Sequence, residues 1–237
     1  MKVGALSALK RCLVPAGVQA RRVPFGLYRG IVLELDLKDR TQLFLGLWER
    51  ETYRWMRTAA RRCEWMIDVG AGRGELCLFF LKHSRACPVV AIEPQASERE
   101  LMRRNLALNG HESNDALIWV DKLIGCDDGS EFLPLDKLPV DFTRPGFIKI
   151  DVDGAEMEVL RSGEALFTHA PIDLLVETHS LQLEQECLSF LENLGLVCRI
   201  IPNAWWRSII PEHRPIGHNR WLWATRFKGR KAMTCHQ

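Results

Sequence analysis

"MIDVGAGRGE" occupies Met66 to Glu75. A short apolar run stops there, and glycines follow at positions 70, 72 and 74. An apolar run ending in alternating glycines reads as a buried strand turning tightly into a helix. Glycine accepts the positive φ of such a turn and lets another group approach the main chain closely. The spacing excludes two nucleotide signatures. A dinucleotide fingerprint needs a glycine at position 75, where Glu75 stands, and no Gly-Lys-Ser/Thr follows to make a P-loop. Asp68 and Glu75 also flank the turn with negative charge, which opposes a phosphate ligand.

The rest of the chain repeats the strand-then-helix order. Upstream, "GIVLELDL" (30–37) alternates as a strand, and "TQLFLGLWERETYRWMRTAARR" (41–62) has helical spacing. Downstream, "ELCLFFLKHS" reads as helix and "CPVVAIEP" as a buried strand stopped by Pro94. "SERELMRRNLALNG" reads as a helix with Ser97 as N-cap and Asn109-Gly110 closing it. "ALIWV", "GFIKIDVDG" and "PIDLLVETHS" read as further strands, with helices in "AEMEVLRSGEALF" and "LEQECLSFLENLG". "GSEFLPLDKLPV" is irregular, and "LVCRII" and "NRWLWATRF" are the last strands. Strands alternating with helices imply an α/β fold, a parallel sheet covered on both faces. Residues 1–40 read as a basic appendage of helix plus strand, 41–230 as the main domain and 231–237 as a tail.

In such a sheet the ligand binds beyond the carboxyl ends of the strands. An acid before the glycines suits a ligand that carries positive charge. S-adenosylmethionine has a sulfonium and an ammonium, and its carboxylate can face the amide-rich start of the helix after Gly74. Glu93, at the tip of the next strand, can accept two hydrogen bonds from a ribose diol. Asp68, Gly70, Ala71, Gly72, Gly74 and Glu93 are therefore the expected cofactor residues.

"IDVGAGRGE", "AIEP" with Asn105 and Asn109, "PLDKL", "FIKIDVDGAEMEVLRSG" and "LLVETH" follow one another in an order that resembles FkbM-like methyltransferases. "GLWERET" resembles the lead-in of that family. The resemblance covers about residues 41–179, with a weaker tail to about 227. It implies a Rossmann-like class I fold with a seven-stranded, mostly parallel sheet. It also implies S-adenosylmethionine as donor and a hydroxyl on a saccharide or secondary metabolite as acceptor. Arg73 and Asp153 depart from the residues usual at their positions, which are small or aliphatic and Glu.

Methyl transfer to a hydroxyl needs positioning and removal of a proton. Alternation along "KIDVDGAE" places Lys149, Asp151 and Asp153 on one side of a strand end, and Glu177 and His179 share a side at the end of the next. Asp151 is the first candidate for base or acceptor positioning, with His179 and Glu177 beside it. Asp153 and Glu156 are expected to cap the following helix, and a Lys149–Glu177 pair is a structural alternative. Asp, Glu and His can also hold a divalent cation that acidifies the hydroxyl, which the spacing does not demand. Trp221 and Trp223 are expected in the core, whereas adjacent Trp205 and Trp206 cannot both point inward, leaving one to stack on an acceptor.

The net charge of +2 gives no global field for nucleic acid. Residues 1–30 nevertheless hold basic residues and no acid, and residues 205–231 hold only Glu212 as an acid. These segments keep RNA methylation as an alternative, and a catalytically silent cofactor-binding module is another. None of the eight cysteines forms C-x-x-C, which suits reduced thiols, a reducing compartment and a cytoplasmic location. No apolar run is long enough to span a membrane, and Lys10 and Arg11 interrupt the first apolar stretch, which argues against a signal peptide. The oligomeric state is not legible.

Overall fold

The computed structural model describes residues 17–85, 88–127, 131–208 and 218–227. The helix expected in the first residues, the part of the basic 205–231 segment around Glu212, and the 231–237 tail lie outside them. Strands β1 (Val18–Arg22) and β2 (Val32–Asp36) form an antiparallel hairpin. Helices α1 (Leu37–Phe44) and α2 (Tyr53–Ala60) follow. The alternating part is β3 (Trp65–Val69), α3 (Glu75–His83), β4 (Val89–Ile92), α4 (Ala96–Leu108) and β5 (Leu117–Val120). A small parallel pair, β6 (Leu123–Ile124) and β7 (Phe132–Leu133), fills the irregular stretch. Then come β8 (Gly146–Ile150), α5 (Glu156–Ser162), α6 (Glu164–His169), β9 (Ile172–Thr178), α7 (Leu181–Asn193), β10 (Val197–Ile201) and β11 (Arg220–Thr225).

The main sheet has seven strands in the order β10-β11-β9-β8-β3-β4-β5, and β11 runs antiparallel to both its neighbours. This is the expected Rossmann-like, mostly parallel α/β fold. Every residue of β3, β4, β8 and β9 is buried, as largely apolar strands between two helical layers must be. Side-chain alternation divides β3 between two cores. Met66 joins the layer of Met56, Phe80 and Met102, while Trp65, Ile67 and Val69 join the layer of Leu160, Phe167 and Leu191. The chain steps outward from β3 through β4 to β5, then returns to β8 on the other side of β3. That reversal opens a crevice between the carboxyl ends of β3 and β8.

Two expected elements differ. The helix over 41–62 is broken, because Gly46 crosses the backbone of Gly26 so closely that a Cβ on Gly46 would lie 2.6 Å from the Gly26 nitrogen. Gly46 turns with φ of 68° and Glu49 with φ of 49°, and α2 restarts after them. Helix α4 begins before Ser97, with Gln95 as N-cap and no side-chain cap of its own. Glu93 Oε1 instead accepts the Gln95 amide at 2.8 Å.

The asparagines of "N-x-x-x-N" dock the hairpin onto α4. Asn109 Oδ1 accepts from the Val32 amide at 2.9 Å, and its Nδ2 donates to the Val32 carbonyl at 2.7 Å. Asn105 Oδ1 accepts from the Glu34 amide at 2.8 Å, and its Nδ2 donates to the Arg73 carbonyl at 3.0 Å. Two side chains thus imitate a neighbouring strand along β2. Asn109→Ala leaves both Val32 groups unpaired at a part-buried edge and should cost about 1–3 kcal/mol of stability. Urea unfolding checks this, and a change below about 0.5 kcal/mol would show that the docking is incidental.

Candidate active site

The glycines after β3 serve different ends. Gly70 has φ of 82°, and a Cβ there would stand 2.0 Å from the Asp151 carbonyl oxygen. Gly74 has φ of 79°, and its Cβ would meet Met102 Cγ at 2.4 Å. Backbone and helix packing therefore exclude side chains at these two. Gly72 has φ of 50°, and a Cβ there would meet nothing within 4 Å. Only its missing side chain leaves space open to a ligand. Gly70, Ala71 and Gly72 line the cleft above the turn, and Gly74 does not.

Glu93 is expected at the tip of β4 as an acceptor for a ribose diol. It stands there, 6% exposed, and also braces the turn, accepting from the Gly72 amide at 2.9 Å with Oε2. Each of its oxygens keeps a lone pair for a ribose hydroxyl.

The cleft encloses about 100 Å³ and opens to solvent. Its floor is acidic. Asp68 is buried at the end of β3, where Oδ2 faces Cys77 Sγ at 3.6 Å and Oδ1 has no hydrogen-bond partner. Burial pushes its carboxyl up to about 7, against the pull of Lys149. Lys149 Nζ donates to Asp151 Oδ2 at 2.9 Å, so the lysine pairs with Asp151 rather than Glu177. Burial disfavours the Lys149 charge, but Asp151, Glu49, Asp68 and Glu177 outweigh it and hold the ammonium above its ordinary range. Burial, then the charges of Asp151 and Glu49, raise Glu177 well above the usual carboxylate range.

His179 sits at the carboxyl end of β9. Its Nδ1 is 2.5 Å from Glu156 Oε1, and its Nε2 makes no hydrogen bond. Nε2 lies 3.3 Å from Asp153 Oδ1, 3.8 Å from Asp151 Oδ1 and 3.9 Å from Glu177 Oε1. Burial lowers the imidazole's pKa, but the Glu156 hydrogen bond and the surrounding carboxylates raise it overall.

The expected capping roles of Asp153 and Glu156 are not seen. Ala155 is the N-cap of α5 and no side chain caps it. Asp153 takes φ of 47° at the mouth of the cluster, with its side chain 76% exposed. Glu156 is fully buried, accepting from the Gly154 amide at 3.1 Å while it holds His179. Among the described residues, Asp153 and Glu49 are the non-glycine residues with positive φ, and both border this site.

Sequence reasoning missed the other wall of the cleft. Tyr28, Arg40, Trp48 and Glu49 reach it from the segment before β3. "GLWERET" carries two of them, but no spacing marks their direction. The turn holding Glu49 is fastened from the far edge of the sheet. Arg207 donates to Glu51 at 2.5 and 2.9 Å, and the Ala204 amide donates to Glu51 Oε1 at 3.0 Å. Trp206 lies under the Arg207 guanidinium, 5.3 Å from it, and Trp205 is 80% exposed. Trp221 and Trp223 are buried, as expected.

S-adenosylmethionine is tested against these residues by three features. Asp68 Oδ1 is a buried acceptor lacking a donor, Gly72 lines the cleft with nothing within 4 Å of its Cβ position, and carboxylates surround Lys149. An amine and a sulfonium suit such a site, and a pyrophosphate does not.

Residues 130–201 match the family model of the methyltransferase FkbM domain. Among solved structures, the methyltransferase FkbM of Methylobacillus flagellatus KT aligns at 18% identity and TM-score 0.54, over 68% of this chain and 43% of that one. A SAM-dependent O-methyltransferase of Thermotoga maritima aligns at 15% identity and TM-score 0.50, over 77% and 66%. An rRNA methylase of Streptococcus thermophilus aligns at 10% identity and TM-score 0.51, over 74% and 94%. No protein of curated function matches the sequence. Residues 130–201 are thus similar to the methyltransferase FkbM domain, the fold is Rossmann-like, and the chain spans less than half of the M. flagellatus structure. At these identities the structural neighbours speak for the fold alone. Among the described residues no helix is long and apolar enough to cross a membrane.

Proposed function

We propose that this protein transfers a methyl group from S-adenosylmethionine to a hydroxyl oxygen of a saccharide or secondary metabolite. The observation that carries the reading is the unpartnered Oδ1 of Asp68, in a residue that lines the same cleft as Gly72. When bound, S-adenosylmethionine supplies an electrophilic methyl carbon on a cationic leaving group. Asp68 would receive its ammonium, the turn at Gly70–Gly72 would pass beneath it, and Glu93 would meet the ribose while bracing Gly72.

Lys149 holds Asp151 in place and stays charged. Asp151, Glu177 and His179 stand together where the acceptor's proton must leave, and a hydroxyl acceptor is the kind that needs such a group. The FkbM domain match over residues 130–201 supports methyl transfer as the reaction. Transfer of tritiated methyl from S-adenosylmethionine into cell-extract fractions is the test. Label in glycans or small metabolites supports the reading, label in RNA replaces the acceptor, and label in no fraction, with cofactor bound, favours a silent binding module.

The buried Asp68 gives a pH signature. Its folded pKa of about 7 lies above the unfolded value, so the folded chain holds a proton that the unfolded chain releases. This contribution to stability is present at low pH and is lost as pH rises towards about 7. A cationic ligand favours the ionised carboxylate. S-adenosylmethionine should therefore bind more tightly as pH rises from 6 to 8, with release of a proton on binding. Asp68→Asn should weaken binding and flatten that slope. Calorimetry in two buffers of different ionisation enthalpy measures both, and a slope unchanged by Asp68→Asn would place the cation elsewhere.

A further inference from the structure

Asp151, Glu177 and His179 each offer one ligand atom, and the three atoms lie within 4.8 Å of one another. We propose that these side chains form a binding site for one divalent first-row cation, of the Mn²⁺ or Zn²⁺ kind, that acidifies the acceptor hydroxyl. The proposal rests on the methyl-transfer reading and names a second cofactor for the same site.

An acidic cluster alone would not carry this. The imidazole does. The His179 side chain is 8% exposed, and its Nε2 makes no hydrogen bond although carboxylates stand around it. The Glu177 side chain is 4% exposed, and its Oε2 also has no hydrogen-bond partner. Two buried polar side chains thus present unsatisfied atoms beside Asp151.

The far side of the imidazole is arranged as metal sites arrange it. A ligating histidine typically gives its other ring N–H to a carboxylate, which fixes the tautomer and leaves the facing nitrogen's lone pair for the ion. Glu156 Oε1, fully buried and 2.5 Å from Nδ1, is placed to accept that hydrogen. Asp151 divides its oxygens, with Oδ2 on Lys149 at 2.9 Å and Oδ1 facing Nε2 at 3.8 Å.

The spacing fits a small ion. Bonds of about 2.0–2.2 Å place two ligands of one ion roughly 3–4.3 Å apart. The 3.8 Å separation of Nε2 from Asp151 Oδ1 falls in that range, and so does the 3.9 Å to Glu177 Oε1, the carboxylate oxygen next to the unsatisfied Oε2. One imidazole with carboxylates favours manganese or zinc over calcium or magnesium. Asp153, exposed at 3.3 Å from Nε2, stands at the mouth as a further oxygen donor.

The ion would stabilise the negative charge that develops on the acceptor oxygen. The hydroxyl proton passes to solvent, the oxygen's electron pair forms the bond to the methyl carbon, and the former carbon–sulfur pair remains on sulfur as a neutral thioether.

The probe is MnCl₂ titrated into chelator-stripped full-length protein, with loss of the free-ion electron paramagnetic resonance signal as the readout. One saturable equivalent is expected. His179→Ala and Glu177→Gln should each weaken it at least 10-fold with circular dichroism unchanged, and Glu156→Gln should weaken it about 10–100-fold through the imidazole. Absence of a saturable equivalent, or equal uptake by His179→Ala and Glu177→Gln, overturns the site. If either variant misfolds, Asp151→Asn gives the same reading. S-adenosylmethionine is titrated into the same stripped protein. Cofactor binding without manganese uptake removes the cation and leaves the methyl-transfer reading intact, whereas uptake without cofactor binding removes that reading.

Discussion

Gly72→Val should abolish S-adenosylmethionine binding and leave the protein folded. The Cβ direction at Gly72 is open, so valine enters the space assigned to the ligand without striking the protein. A positive φ of 50° adds strain for a β-branched residue, of the order of 1–2 kcal/mol. An affinity loss of at least about 100-fold, roughly 2.7 kcal/mol, is expected by calorimetry. Gly72→Ala should show a smaller loss of the same sign. Gly70→Ala provides the contrast, because its Cβ would lie 2.0 Å from the Asp151 carbonyl. It should lower the unfolding temperature before any ligand is added. A Gly72→Val protein that binds within a few-fold of the parent would show that the cofactor does not pass over this turn.

Asp151→Asn should do the reverse, sparing the cofactor and stopping the chemistry. An amide at 151 can still accept from Lys149 Nζ, now at 2.9 Å from the carboxylate, so the local frame persists. It cannot carry the negative charge that favours deprotonation of the acceptor. Turnover should fall about 10²–10⁴-fold, the usual contribution of such a group. S-adenosylmethionine affinity should change no more than about 3-fold, under ~1 kcal/mol. Single-turnover transfer separates the two effects. Unchanged turnover would mean that proton removal takes place outside the cluster at the ends of β8 and β9.

The fold was legible because its signals are local. Short apolar runs such as Trp65–Ile67, Val89–Ile92 and Leu174–Val176 alternate with stretches of helical spacing. The meeting of Asp151 with Glu177 and His179 was also legible, since neighbouring parallel strands bring their carboxyl ends together. What escaped depends on contacts distant in sequence. Nothing in G-x-G-x-G distinguishes Gly72 from its neighbours; Met102 and the Asp151 carbonyl do. Glu93 looks like a free strand-tip acid until the Gly72 amide folds onto it. Glu156 looks like a helix cap until β9 delivers His179 beside it. Glu49 and Trp48 join the cleft only because Gly26 and Gly46 cross and the chain turns there.

An acid-floored cleft above Gly72 that accepts a sulfonium cofactor is most directly tested by titrating S-adenosylmethionine and NAD⁺ separately into the full chain at pH 8. One saturable site for S-adenosylmethionine, absent in Gly72→Val, and no heat with NAD⁺ are the expected results. Saturable binding of NAD⁺, or no binding of S-adenosylmethionine, would contradict the assignment.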